Sequence, residues 1–186
     1  MNGHFDVVST IYDRVIGKPY RESLHDLLRL PTDTWLLDAG GGTGRVAAYL
    51  RPHVGRLVVS DRSVNMLKEA HKKGELLTVR AVSETLPFPD AFFGRILVVD
   101  SLHHFDDQHR ALGELLRVLA PGGRLVIEEP DISLLSVKIV ALLEKLFLMG
   151  SRFLRAADII DIFRDYGLSA SLAERGHHRL WVVVDK

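Results

Sequence analysis

Two carboxylates and a cluster of glycines carry the most chemistry in this chain. Asp38 stands just ahead of Gly40, Gly41, Gly42 and Gly44 in "LLDAGGGTGRVA", residues 36–47, and Asp61 follows the apolar run "RLVVS". A glycine-rich turn lets a ligand lie against bare backbone, and a carboxylate can accept hydrogen bonds from an ammonium or from paired hydroxyls. Further along, His103-His104 follow "RILVVDSL", and Glu128-Glu129 follow "RLVI". An imidazole titrates near neutral pH and suits proton transfer, so His103 is the first candidate for a base and His104 the second. A surface or packing role competes for both. For Glu128 and Glu129 a structural or solvent-facing role is the better reading.

Metal chemistry has little support. There is no cysteine, which removes disulfides, thiolate zinc sites and cysteine nucleophiles. The adjacent pairs His103-His104 and His177-His178 lack the i, i+4 spacing of a helical zinc site. No metal is expected.

The elements that must hold these residues alternate. Leu24 to Leu30 has helical character and stops at Pro31; Trp35 to Leu37 begins a strand that runs into the glycine loop. Arg45 to Arg51 suits a helix, Arg56 to Ser60 a buried strand, and Ser63 an N-cap for a helix through Lys73. Strands are expected at Leu76–Val79, Arg95–Val99 and Arg124–Glu128, with a helix over residues 111–119 that "APGG" stops. A last helix, "ADIIDIFRDYG", has Gly167 at its C′ position, and strands near 170–173 and 180–184 follow without a helix between them. Continuously apolar strands alternating with helices predict a doubly wound α/β domain. Its Rossmann-like sheet is seven-stranded and mostly parallel, ending in an antiparallel hairpin.

The chain's 186 residues, 47% hydrophobic and 26% charged, suit one globular domain. Lys plus Arg and Asp plus Glu number 24 each, and that balance argues against a nucleic-acid partner. The opening residues lack the pattern of a secretory signal. The most apolar stretch, Ile132 to Gly150, is interrupted by Lys138, Glu144 and Lys145, so stable membrane insertion is not expected. A cytoplasmic protein, monomeric or homodimeric, is the default, with peripheral membrane contact left open.

In such a sheet, ligands bind beyond the carboxyl ends of the strands near the switch point, so the glycine loop is the expected site. A phosphate loop fails, because no Lys and no Ser or Thr follow Gly44. A dinucleotide fingerprint is met by Gly42, Gly44 and Ala47, but it leaves Asp38 beside an approaching pyrophosphate. A ligand with an ammonium and no phosphate accounts for both features, and S-adenosylmethionine is one. Asp61 then suits its ribose, although an acid favoured by a helix dipole is the plainer alternative.

Four blocks, "LLDAGGGTGRVA", "VVSDRSVNML", "SETLPFPDAFFGRILVVDSLHHFDD" and "LLRVLAPGGRLVIEEP", resemble in order and spacing the class I S-adenosylmethionine-dependent methyltransferases. The resemblance runs from about Phe5 to Arg164. "HFDVVSTIYDRV" and "LPFPD" are similar to the branch holding the ubiquinone and menaquinone C-methyltransferases. It implies that Asp38, Gly40, Gly42 and Gly44 border the methionine part of S-adenosylmethionine, with Asp61 at the ribose and Arg62 by the adenine. Ser83 and Glu84 would meet the adenine edge, Asp100 would lie near the methionine amine, and Tyr12 would fold over the cofactor. The segment at about 132–155 becomes a helical lid over a small apolar or quinone- or phenol-like acceptor. Val82, Arg62 and Gly94 depart from the pattern, as does His103-His104 where the quinone enzymes carry Arg-Asn. A non-catalytic S-adenosylmethionine-binding sensor or assembly protein is the alternative, and a dinucleotide oxidoreductase a distant third.

Overall fold

A computed structural model describes residues 21–74, 76–133, 152–176 and 179–186. Tyr12 and most of the expected lid, residues 134–150, lie outside the described residues.

The described elements run α1 (Arg21–Leu28), β1 (Thr32–Ala39), α2 (Arg45–Leu50), β2 (Val54–Asp61), α3 (Val64–His71), β3 (Leu77–Arg80) and β4 (Phe93–Val99), followed by α4 (Gln108–Val118), β5 (Leu119–Pro130), α5 (Ala156–Asp165), β6 (Ala170–Gly176) and β7 (Arg179–Asp185). The seven strands form one sheet in the order β3-β2-β1-β4-β5-β7-β6. β1 pairs in parallel with both β2 and β4, so the winding reverses beside β1. β7 runs antiparallel to β5 and to β6, as expected of a terminal hairpin.

The central strands are apolar where both faces of the sheet are covered. Side chains alternate across a strand, and Leu36, Leu57, Val59 and Leu97 go to one face, against Leu24 and Leu28 of α1, Ala47 and Leu50 of α2 and Leu67 of α3. Their neighbours Leu37, Val58, Ile96 and Val98 go to the other, against Leu112 and Leu115 of α4 and Ile159 and Phe163 of α5. Each fully buried Leu, Ile or Phe contributes on the order of 1.5–3 kcal/mol, so the two faces together hold the strands in register.

Local signals set the helix ends. The Ser63 side chain accepts from Met66 N at 3.3 Å, and Asp107 caps α4 by accepting from Arg110 N at 3.0 Å. Gly167, at φ 74°, turns the chain after α5 while Leu168 N donates to Phe163 O at 3.0 Å. One boundary differs from the sequence reading. "APGG" is not a loop between α4 and β5, because β5 begins at Leu119, which pairs with Phe93. Gly122 N donates to Lys186 O, and Lys186 N to Gly123 O, so the chain terminus supplies the pairing that local sequence does not announce.

Among the described residues, no helix is long and apolar enough to cross a membrane.

Candidate functional site

The carboxyl ends of β1, β2 and β4 open onto a cleft, where open α/β sheets bind their ligands. Asp38, Gly40, Gly42, Asp61, Arg62, Asp100 and His104 all line it.

The floor is backbone. Gly40 N and Gly41 N both donate to Ser60 O, at 2.8 and 3.1 Å, which ties the loop after β1 to the end of β2. Gly42 has φ 54°, and a Cβ added there would meet nothing nearer than Met66 Sδ at 3.9 Å, so its peptide lies open to the cleft. Gly41 is required by close approach instead. Its Cβ would fall 2.6 Å from Cγ and Oδ2 of Asp38. Gly44 does not line the cleft: it precedes α2, and a Cβ there would press on Leu76 and Ala70 at 2.8 and 3.0 Å.

Asp38 is the unusual group. It is 1% exposed, and its Oδ2 has no hydrogen-bond partner among the described residues. Burial pushes its carboxyl up to about 7; nearby Arg45 and a hydrogen bond from the Ala47 backbone oppose this, and the Asp61 charge adds to it. A buried acceptor without a donor costs on the order of 1–3 kcal/mol. A cationic N–H donor in the cleft would both complete its hydrogen bonding and favour its ionised form.

Asp61 is braced on both oxygens. Gly42 N donates to Oδ2 at 3.0 Å and Ser63 N to Oδ1 at 2.8 Å. Burial raises its pKa and these backbone hydrogen bonds oppose the rise. Two pre-oriented oxygens at the end of β2, each with a lone pair to spare, are suited to adjacent hydroxyls. Beyond it, Arg62 stands 3.6 Å from Asp106, joining the loops after β2 and β4 at the mouth.

Ser83 and Glu84 are placed away from this wall. Ser83 is buried, and the Glu84 carboxylate accepts from Asp106 N at 2.8 Å and Asp107 N at 3.2 Å. Arg110 donates to Glu84 O at 3.0 Å. Glu84 thus fastens the segment that leads into α4, and Asp106 is what it delivers to the mouth.

After β4 the chain turns sharply. Asp100 has φ 53°, a costly conformation for a residue with a Cβ, while its N–H donates to Glu128 O at 2.9 Å. Ser101 Oγ donates to Ala39 O at 3.2 Å. Ser101 N and Leu102 N both donate to Glu129 Oε1, at 3.0 and 2.8 Å, and Glu129 Oε2 lies 2.6 Å from Nδ1 of His103. His103 is 4% exposed and Glu129 3% exposed. The His103 ring stacks on Phe153 at 4.4 Å and meets His104 at 4.0 Å.

The two histidines therefore part company. His104 lines the cleft, but burial, with His103 and Arg62 nearby, holds its pKa down to about 3, so it stays neutral in working conditions. His103 stands behind it, paired to an acid.

Glu128 is also buried, in contact with Arg179, and burial outweighs that cation to raise its carboxyl to about 7. Sequence reasoning assigned no role of their own to Gly41, Met66 and Phe105, which also line the cleft. Only Gly41 had a local signal, as the middle of three consecutive glycines. Among the described residues, no three His, Asp or Glu come together as a metal site.

Comparison with known proteins bears on what this cleft holds. Residues 37–127 match the family described as a methyltransferase domain. The chain is 42% identical over 132 residues to the demethylmenaquinone methyltransferase of Thermus thermophilus, covering 67% of this chain and 60% of that protein. It is 33% identical over 135 residues to the ubiquinone/menaquinone biosynthesis C-methyltransferase UbiE of Serratia proteamaculans, covering 67% of this chain and 54% of that one. The chain thus spans little more than half the length of these curated relatives. In fold it is similar to an S-adenosylmethionine-dependent methyltransferase from Thermotoga maritima, with a TM-score of 0.79 at 23% identity, covering 98% of this chain and 97% of that one.

Proposed function

We propose that this chain, whose residues 37–127 match the methyltransferase domain family, is an enzyme that binds S-adenosylmethionine in this cleft and methylates a small hydroxylated ring of the quinol or phenol class. The observation that carries the reading is the buried, partnerless Oδ2 of Asp38 beside open glycine backbone. The methionine ammonium is the cation that oxygen lacks. A pyrophosphate would bring negative charge to the same place, which disfavours a dinucleotide.

S-adenosylmethionine, when bound, supplies a methyl group already activated on a sulfonium. The chain's own part is to bind, align and exclude water. Asp38 receives the ammonium, with Gly40 and Gly42 giving backbone approach to the methionine end. Asp61 takes the ribose hydroxyls. Arg62 and Asp106 close the adenine side, an edge that Ser83 and Glu84 support through the loop into α4. Asp100, held at the end of β4, adds a second carboxylate near the amine. His104 stays neutral in the wall, and His103 lies buried behind it, paired to Glu129.

The acceptor class has two supports. The Thermus and Serratia relatives are named as acting in menaquinone and ubiquinone biosynthesis. In this sequence the stretch from Ile132 to Gly150 is strongly apolar, which suits a cover over a lipophilic acceptor.

Calorimetric titration with S-adenosylhomocysteine, with NAD in parallel, tests the cofactor. Micromolar binding of S-adenosylhomocysteine alone is expected. Binding of NAD alone would overturn the reading. Binding of S-adenosylhomocysteine without turnover on any quinol or phenol would move the chain to a non-catalytic sensor or assembly role.

A further inference from the structure

We infer that Arg45 receives the carboxylate of the cofactor's methionine end, so that this wall of the cleft selects an α-amino acid over an amine alone. The inference rests on S-adenosylmethionine as the cofactor and goes beyond it by naming the residue that reads its carboxylate.

The glycine backbone is not free to do this. A loop of glycines can hold an anion on its N–H groups, but here those groups are engaged inside the protein. Gly40 N and Gly41 N donate to Ser60 O, Gly42 N to Asp61 Oδ2, and Gly44 N to Gly41 O at 2.9 Å. After β4, Asp100 N donates to Glu128 O and Ser101 N to Glu129 Oε1. Asp38, Asp61 and Asp100 line the same cleft, and their like charge opposes a carboxylate. A carboxylate bound here needs a cationic side chain in the wall.

Among the described residues that line the cleft, Arg45 and Arg62 carry such a charge, His104 being held neutral. In an α-amino acid the ammonium and the carboxylate stand on one carbon. The cation must therefore lie beside the acid that takes the ammonium. Arg45 meets that condition: it opens α2 directly after Gly44, and its charge acts on Asp38. Arg62 acts instead on Asp61 and His104, and pairs with Asp106 at the mouth. Asp38 Oδ2 nevertheless has no donor among the described residues, so Asp38 and Arg45 are not closed on each other at that oxygen. Opposite charges held near one another in this way match a zwitterion, the ammonium going to Asp38 and the carboxylate to Arg45. A guanidinium has five donors in a planar fork suited to a carboxylate, so contacts that Arg45 makes within the protein leave donors for a ligand.

A role for Arg45 as counter-ion to Asp38 alone makes a different prediction. Its removal would then push the Asp38 carboxyl further up and weaken every ligand that carries an ammonium, with or without a carboxylate. The ratio of two affinities separates the roles.

The test is calorimetric titration with S-adenosylhomocysteine and with decarboxylated S-adenosylhomocysteine, which keeps the amine. It is run at pH 8, above the value of about 7 to which burial raises Asp38. Wild type should prefer the carboxylate-bearing ligand by about 10- to 100-fold, the range for hydrogen bonds between charged groups. Arg45→Met should abolish that preference, and Arg45→Lys, which keeps the charge but not the fork, should retain part of it. Binding of the decarboxylated ligand shows that each variant is folded, and Arg45→Gln serves in the same way if the methionine variant does not fold. Equal wild-type affinity for the two ligands, or an equal loss of both in Arg45→Met, overturns the role of Arg45. So does a preference that survives in Arg45→Met and vanishes in Arg62→Met. Failure of the wild type to bind either ligand overturns the cofactor reading itself, a result distinct from any change in preference.

Discussion

The two ends of the sheet treat charge in opposite ways. At the amino ends of β4 and β5, cations and acids are matched. Arg124 meets both oxygens of Asp185 at 2.7 and 2.6 Å and donates to Leu27 O at 3.0 Å, and Arg95 donates to Leu28 O at 2.6 Å. Arg124 thereby holds the Asp185 carboxyl below its usual range, and Arg117 does the same for Glu114 across the Pro87–Pro89 loop. At the carboxyl ends, Asp38, Asp61 and Glu128 are all raised by burial. One end uses its charges to fasten α1 and the chain terminus to the sheet. The other keeps acids that burial holds above their ordinary range, one of which, Asp38, has an oxygen with no donor among the described residues, and Asp100 adds strained backbone. Perturbed groups gathered at one edge mark a binding site, and the contrast shows which end was built for a ligand.

The contrast can be broken from either side. The largest effect is expected from Asp61→Ala, which removes the oxygens that receive Gly42 N and Ser63 N. Affinity for S-adenosylhomocysteine should fall by about 1.5–3 kcal/mol, the range for hydrogen bonds to a charged group, with a far smaller change in thermal midpoint. Equal losses in binding and stability would erase the distinction between the two ends.

Arg124→Leu should do the reverse. Loss of the bidentate contact and of the bond to Leu27 O is expected to cost about 2 kcal/mol of folding stability in a denaturant titration. S-adenosylhomocysteine affinity at a temperature where the variant is folded should not move.

The smallest effect, and the sharpest, belongs to Asp38→Asn. The Asp38 carboxyl is raised to about 7 in the folded protein from an ordinary value of 3.8, so the folded state binds the extra proton. The stability of the unliganded protein must therefore decline as pH rises from about 4 to above 7. An ammonium ligand needs the ionised form, so affinity for S-adenosylhomocysteine should rise through the same window. In Asp38→Asn the stability slope becomes shallower, the thermal midpoint at pH 8 rises, and affinity at pH 8 drops by about tenfold with less dependence on pH. Glu128, raised by the same cause, keeps part of the slope. A wild-type affinity that is flat between pH 6 and 8 would remove Asp38 from ammonium recognition.

Much of this was legible before any coordinates. The central strands were readable because both their faces are buried, which gives apolar runs such as Ile96–Val99 and Leu125–Ile127, and Ser63 and Gly167 act on their own helix ends within three or four residues. Asp38, Asp61 and the glycines were readable for a similar reason, since the end of a strand and the turn after it are set by local sequence. What Glu84 holds was not legible, because the N–H groups it accepts from, those of Asp106 and Asp107, are 22 and 23 residues away.

His103 and Glu129 mark the boundary between the two kinds of information. The residue types, the alternation of strands and helices and the glycine loop follow from the chain itself, because hydrophobic periodicity and turn chemistry act over a few positions. Which histidine faces the cleft, which stands behind it, and that an acid 26 residues on lies 2.6 Å from Nδ1 follow only from the parallel register that sets Val99 against Glu128. Pairing between strands brings distant residues within hydrogen-bond reach, and burial then decides which of them can hold a charge.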